Sequence, residues 1–563
     1  MTLSRNRAVR WLAVGAAVAI LTTACGTPDS GSSGGSGGAD HKGGTLTLLD
    51  QSDFEHLDPA RNYVASQQHV AVLYAPTLTS YVNAAGVAGT AIAGDAATDT
   101  GTKNADASVW SFTIRQNLKW QDGKEVTCED FLYGVKRSFS DILTDGPQYQ
   151  KQYLLGGKNY KGVYLDPNGL PSVTCKGDTI TYKLAQGVPD FNYTVSMGIF
   201  AAVRKDKDTK EKYDDQPFSY GPYMIKSHVR DQSLTLVRNK YWDQSLDKVR
   251  KNLPDEFDFK FGLDASVITD RLIQDKGADQ ATMTFGNTQV TAQQAQQVLN
   301  DPKLKARSVV GLDGFTWYIA VNTKKVPDQK CRQAYNYAMN KQTALTAFGG
   351  PAFGDIATSI IAPTLKAYKK ADPYNLGSKP EGDPAMAKQL LAQSPTCQKN
   401  IKFDYSQTPT GDRLAAAVKD GFARAGITVT ANPIPRKQYY TTVGKPAVED
   451  ELVYVGWGAD WPSASTVIPP LFDGAQIIPE GNQNYSQLND PAINSKIYSI
   501  AKNPDSDAQQ PQWGDLDIAI QQTGATIPLR YEKAVYLVGS KVTGAHLHSE
   551  YSDVSLLNIG VSQ

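Results

Sequence analysis

Hydrophobic and polar residues recur along most of this chain at the periods that specify strands and helices. Thr45–Leu49 (TLTLL) predicts a strand, followed by turn chemistry at Asp58-Pro59 and a helix around Gln67–Tyr74. Val109–Leu118 (VWSFTIRQNL) alternates as a half-buried strand does, and Asp122-Gly123 then turns the chain tightly. CEDFLYGVKRSF has acids in its first turn and Phe131, Leu132, Val135 and Phe139 on one face, which predicts a helix packed on a sheet. Ile180–Leu184 and Leu234–Arg238 read as further strands. Val309–Thr323 contains FTWYIAVNT, a run rich in β-branched and aromatic residues. A Pro-Asp turn leads from it into one helix, CRQAYNYAMNKQTAL, and Asp383-Pro384 caps another, AMAKQLLAQ. Ile401–Tyr405, a helix over Asp412–Ala425 and Ile427–Ala431 make a β-α-β unit. Leu452–Gly456 is a strand ending in GWGADW, and Ile527–Tyr531 is a late strand. Strands and helices mixed over two stretches predict an α/β body.

The N-terminus breaks this pattern. MTLSRNRAVR carries three arginines and no acid, then comes an apolar run, Trp11 to Leu21, and a small-residue exit at Ala24-Cys25. That composition predicts a signal peptide over 1–24, and the run is short against the ~20 residues a membrane span needs. Gly26–Gly44 is mostly Gly and Ser and reads as a flexible tether. A cysteine at a signal exit with a tether behind it resembles the lipobox of bacterial lipoproteins. The resemblance implies that Cys25 is lipidated and becomes the mature N-terminus, although Thr22 stands where the usual pattern has Leu. Segment 25–44 would then be an anchor and a leash, holding the protein on the outer face of the cytoplasmic membrane.

Composition narrows the body. The chain has 563 residues, 57 basic and 57 acidic, so no basic excess points to nucleic acid. Without leader and tether about 520 residues remain, more than one core holds, since cores stop growing near ~250–300 residues. No second long apolar run follows. Export permits disulfides, and with Cys25 set aside Cys128, Cys175, Cys331 and Cys397 allow three pairings. Nearest-neighbour closure favours Cys128–Cys175 and Cys331–Cys397, each worth roughly 4 kcal/mol on the chain-entropy model. None has the CxxC spacing of a zinc or redox site. His546 and His548 share one face of a strand, but no carboxylate spacing completes a metal site, and no cofactor motif occurs.

Seven segments now stand in order: GGTLTLLDQSDFEHLDPARNY, WSFTIRQNLKWQDGKEVTCEDFLYGVKRSF, GPYMI, LVRNKYWD, WYIAVNT, CRQAYNYAMNKQ and VYVGWGADWPSASTVIPPLFDG. Together they resemble the peptide/nickel class of solute-binding proteins of ABC importers, the oligopeptide- and dipeptide-binding family 5. The resemblance implies a two-lobed periplasmic-binding-protein-like α/β fold of class II type with an extra small subdomain. Lobe I would run over 45–312 with the subdomain at about 76–200, lobe II over 313–519, and 520–563 would return to lobe I. Ligand would bind between the lobes, with hinge closure around it. The implied partners are a peptide, a permease and a separate ATPase, since no P-loop is present here. The receptor itself would be a monomer without a catalytic step.

The same resemblance nominates site residues. Asp460 matches the aspartate that holds a peptide's α-amine, where charge-assisted hydrogen bonds form; its alternative role is a structural cap. Trp457 would line a side-chain pocket or simply pack, and Gly456 and Gly458 would expose backbone to an extended peptide. Tyr454 stands where some oligopeptide binders carry an arginine. Arg530, in IPLRY, would supply that charge or lie solvated at a strand end. Tyr63 and Tyr149 are further family positions. A binder of oligosaccharide, siderophore or a nickel complex in the same fold, and an anchored hydrolase, are the competing functions. GSSGG lies in the tether, where no nucleophile elbow forms, and HExxH is absent.

Overall fold

The computed structural model describes residues 41–562 other than 144 and 287. The expected signal peptide, Cys25 and the tether up to residue 40 lie outside the described residues. No helix among the described residues is long and apolar enough to cross a membrane.

Thr45–Leu49 forms a strand because its leucines alternate into the core, where Leu46 and Leu48 are fully buried. It runs parallel to Glu256–Lys260 and Thr282–Thr284, and Ser233–Arg238 and Tyr223–Val229 complete a five-stranded sheet. A separate four-stranded sheet within 102–183 carries Val109–Thr113 and Thr179–Lys183. Val109–Thr113 is shorter than its alternation predicts, because its partner strand Thr179–Lys183 begins opposite Thr113 and offers no further pair; Asn117 then takes a φ of 63°. The helix Cys128–Arg137 packs on this sheet; Asp130 caps it by accepting from the Thr127 N–H at 2.8 Å. The Cys128–Cys175 disulfide ties its first turn to strand Val173–Lys176, with Cα atoms 5.9 Å apart.

The second sheet has six strands, in the order Gly354–Ile356, Thr526–Leu537, Ser308–Val321, Leu452–Gly458, Asn400–Gln407 and Thr428–Pro435. The last two are parallel and joined by the helix Pro409–Arg424, the expected β-α-β unit. Cys331 and Cys397 are bonded on this side, Cα atoms 5.5 Å apart. The single helix predicted from CRQAYNYAMNKQTAL is instead two, Gln329–Ala338 and Lys341–Ala347. The break is physical: Met339 is extended and fully buried, and the Asn340 side chain accepts from the Thr343 N–H at 2.9 Å to start a new helix.

Two strands belong to both halves. Ser308–Val321 places Val309 in the core of the first sheet and Ile319 and Val321 in that of the second. Thr526–Leu537 does the reverse, with Ile527 and Leu529 in the second core and Ala534 and Tyr536 in the first. Within this strand the chain passes from one core to the other between Leu529 and Ala534. The strands are antiparallel and pair Leu312 with Lys533 and Thr316 with Tyr531, so Asp313, Gly314 and Phe315 face Glu532 alone. This bulge kinks both connections at one point, and Gly314 (φ 93°) meets its geometry.

Candidate functional site

A cavity of about 780 Å³ lies at that crossing point, lined from both halves. The first half contributes Tyr63, Ser66 and the loop Ser549–Asp553; the second contributes Trp457, Gly458, Asp460 and Tyr485. The crossing strands supply Asp313, Trp317 and Glu532.

Asp460 sits two residues beyond the strand Leu452–Gly458. Its backbone N–H donates to Thr466 Oγ1 at 3.2 Å, which fixes the turn. One carboxylate oxygen accepts from the Tyr63 hydroxyl at 2.8 Å and the other from the Tyr149 hydroxyl. Both tyrosines come from the first half, so the cluster exists only while the halves are together. Desolvation pushes the Asp460 carboxyl above its ordinary range, and the two hydroxyls pull it partly back. Among the described residues no Lys, Arg or His forms an ion pair with it. Its neighbour Trp461 is 1 % exposed, although it enters from the second half. Its indole N–H donates to Asp190 at 2.8 Å, and its ring meets Tyr149 edge-on, centroids 4.9 Å apart. Ser465 donates to the same Asp190 oxygen at 2.8 Å.

The glycines around Trp457 have a steric cause. A Cβ on Gly456 would lie 2.7 Å from the Trp317 ring, and one on Gly458 2.9 Å from the Phe315 ring, so both rings lie flat across the neighbouring strand. The strand pairs with Ser308–Val321 along its length but with Asn400–Gln407 only at Leu452 and Val453. Among the described residues no strand pairs with its other edge beyond Val453. Trp457 lines the cavity, and its indole N–H donates to the Thr466 carbonyl at 2.9 Å.

Six of the eight expected ligand residues thus gather here: Asp460, Trp457, Gly456, Gly458 and Tyr63 on the cavity wall, and Tyr149 bonded to Asp460. Tyr454 and Arg530 stand behind the wall. Side chains alternate along a strand, so Tyr454 points opposite to Trp457, stacking on Trp317 with centroids 5.2 Å apart. Arg530 is 6 % exposed and already engaged: it donates to the Phe353 carbonyl at 2.6 Å and to Glu532 at 2.8 Å. Asp313, Glu532, Glu550 and Asp553, by contrast, line the cavity without having been singled out from the sequence. The Asp313-Gly314 dipeptide carried a turn signal inside an apolar run, the one local hint. His548 packs with His69 and Tyr551, while His546 bonds the Gly544 carbonyl instead, and no cluster of the described residues is arranged to hold a metal ion.

Comparison with known proteins agrees with this architecture. The family profile described as bacterial extracellular solute-binding proteins, family 5 Middle, matches residues 91–479. The periplasmic oligopeptide-binding protein OppA of Salmonella typhimurium is 23% identical over 465 residues, 78% of this chain and 80% of that protein. A solved structure, clavulanic acid biosynthesis oligopeptide binding protein 2, superposes with a TM-score of 0.87 at 28% identity, covering 93% of this chain and 96% of the other. The periplasmic binding protein DppA from Helicobacter pylori, in complex with the peptide STSA, shares the fold, with a TM-score of 0.69 at 19% identity over 93% and 99% of the two chains.

Proposed function

Because this chain belongs to the bacterial extracellular solute-binding proteins of family 5, we propose that it captures peptides between its lobes and delivers them to an ABC permease. The observation that carries the reading is Asp460, a carboxylate on the cavity wall held by two hydroxyls and, among the described residues, by no cation. Each hydroxyl satisfies one oxygen and leaves the negative charge unneutralised. A peptide ammonium supplies the missing charge, and binding pulls the raised carboxyl back to its ionised form. The Tyr439 hydroxyl donates to the Tyr454 carbonyl on this edge, and the strand end at Gly456 and Gly458, which lines the cavity, offers backbone groups to an extended main chain, giving affinity without regard to side chains. A cavity of about 780 Å³ accommodates a short peptide. A neutral oligosaccharide would stack on Trp457 equally well but would leave Asp460 without its counter-charge.

In this reading the protein is a monomeric receptor without a catalytic step, and separate ATPase subunits drive the permease. The test is calorimetric titration with a free-amine tripeptide and its N-acetylated form. Acetylation is expected to weaken binding roughly 30-fold or more; equal affinity for the two forms would overturn the assignment of Asp460.

The reading also includes a lipid anchor at Cys25, with the Gly/Ser segment as its leash. Cys25→Ser is expected to move the protein from the membrane fraction to the soluble fraction. Retention at the membrane would contradict the anchor.

A further inference from the structure

The ten-residue helix Ala65–Tyr74 begins on the cavity wall, where Val64, Ala65, Ser66 and Gln68 all line the space. A helix leaves its first N–H groups without an intrahelical acceptor, and they carry the positive end of its dipole. A capping side chain or an acid in the first turn usually answers them. Here the N-cap is Val64, which makes no side-chain cap, and the first turn holds no acid. The Gln67 N–H turns back to the Val64 carbonyl at 3.0 Å, whereas among the described residues nothing accepts from the N–H groups of Ala65 and Ser66.

A side chain adds an independent observation. Ser66 is 9 % exposed, and its hydroxyl has no hydrogen-bond partner among the described residues. Buried hydroxyls are as a rule bonded. Ser66 lines the cavity, so its donor is offered to whatever enters. Two backbone N–H groups and one hydroxyl, all donors at the positive end of a helix, make a place for an anion.

Hydrogen bonds tie this corner to Asp460. Gln68 Nε2 donates to the Tyr63 carbonyl at 2.9 Å, and the Tyr63 hydroxyl donates to Asp460 at 2.8 Å. Ala65 and Ser66 follow Tyr63 by two and three residues, so the anion place and Asp460 are within reach of a short extended peptide at ~3.5 Å per residue. Tyr454 and Arg530, the positions expected to bear on a peptide's far end, both stand behind the wall. The acids on the wall leave the corner usable. Glu532 accepts from Arg530 at 2.8 Å, and burial pushes the carboxyls of Asp313, Glu550 and Asp553 upward, toward the neutral form, that of Glu550 to about 8.

We propose that the first turn of this helix is a carboxylate subsite: the Ala65 and Ser66 N–H groups and the Ser66 hydroxyl donate to the C-terminal carboxylate of a peptide whose ammonium lies on Asp460. The proposal rests on the peptide reading above and adds the other end of the guest. A short peptide with both termini free is then held at both, and one whose C-terminus is amidated loses the charge-assisted half of these bonds.

The experiment is calorimetry with a free-amine tripeptide and the same tripeptide amidated at its C-terminus. The unaltered protein is expected to bind the free acid roughly 10- to 100-fold tighter than the amide, as hydrogen bonds to charged groups allow. Ser66→Ala removes one donor and is expected to cut that ratio severalfold. Val64→Asp places a carboxylate of the protein's own on the same N–H groups. It is expected to bring the ratio to one or below while the melting temperature holds or rises, because Asp is a favoured N-cap. Equal binding of acid and amide by the unaltered protein would overturn the subsite and leave the Asp460 reading standing, since that reading is tested at the amine. A ratio that survives in both variants would overturn the assignment to this helix. Failure of both peptides to bind the unaltered protein would overturn the subsite and the peptide reading together.

Discussion

Asp460→Asn is expected to weaken binding of free-amine peptides by about 2–4 kcal/mol, a loss of roughly 30- to 1000-fold. The substitution keeps shape and one acceptor for the Tyr63 or Tyr149 hydroxyl but removes the charge that the ammonium pairs with. N-acetylated peptides, which never had the pair, are expected to lose far less. Acidity has the same effect by another route. Desolvation holds the Asp460 carboxyl above its ordinary range, so affinity is full above that raised pKa and falls as pH drops through it. The asparagine variant has no proton to take up there and should lack this step. Titration of both proteins across the acidic range reads out the two effects together. Unchanged affinity in Asp460→Asn would remove the residue from the site.

Trp461→Ala carries the second large effect. Deleting a buried tryptophan costs about 3–5 kcal/mol, but here the burial is between the halves, against Tyr149 and over Asp190. When the halves part, the ring is exposed, and its loss costs the open form little. Peptide affinity is therefore expected to drop roughly 100-fold or more, while the melting temperature of the ligand-free protein moves by about 2 °C or less. A large drop in ligand-free stability with unchanged affinity would mean that Trp461 is fixed core and that the halves do not separate there.

Local patterns carried much of the fold. Leucines alternating in TLTLL, the acids opening CEDFLYGVKRSF and the β-α-β spacing around Asp412–Ala425 each depend on neighbours within a few residues, and each element is present. What escaped depends on distant partners. Nothing near Met339 announces that it will be fully buried and extended, splitting one periodic run into two helices. The bulge at Asp313 is a mismatch in register between strands about 220 residues apart along the chain, and no periodicity within either strand encodes it.

The site divides along the same line. Asp460 was readable as an acid between two tryptophans just past an apolar strand. Its hydroxyl partners are 397 and 311 residues away, and Tyr63 and Tyr149 entered only through family resemblance. Arg530 looked like a free charge beside the cleft, yet Glu532, two residues on, takes that charge and faces the cavity in its place. Strand alternation turns Tyr454 away by the same rule that turns Trp457 inward. The acids of the cavity wall lie on four different segments, at 313, 460, 532 and 550–553, so their sum is visible only after folding.

The most direct measurement is a crystal structure of the protein with a bound tripeptide. The account predicts the peptide inside the cavity, its ammonium about 2.7–2.9 Å from an Asp460 oxygen, with Tyr63 and Tyr149 still in contact with that carboxylate. A peptide seated with its amine elsewhere, or a cavity that stays empty at saturating peptide while Asp460 keeps only its two tyrosines, would contradict it.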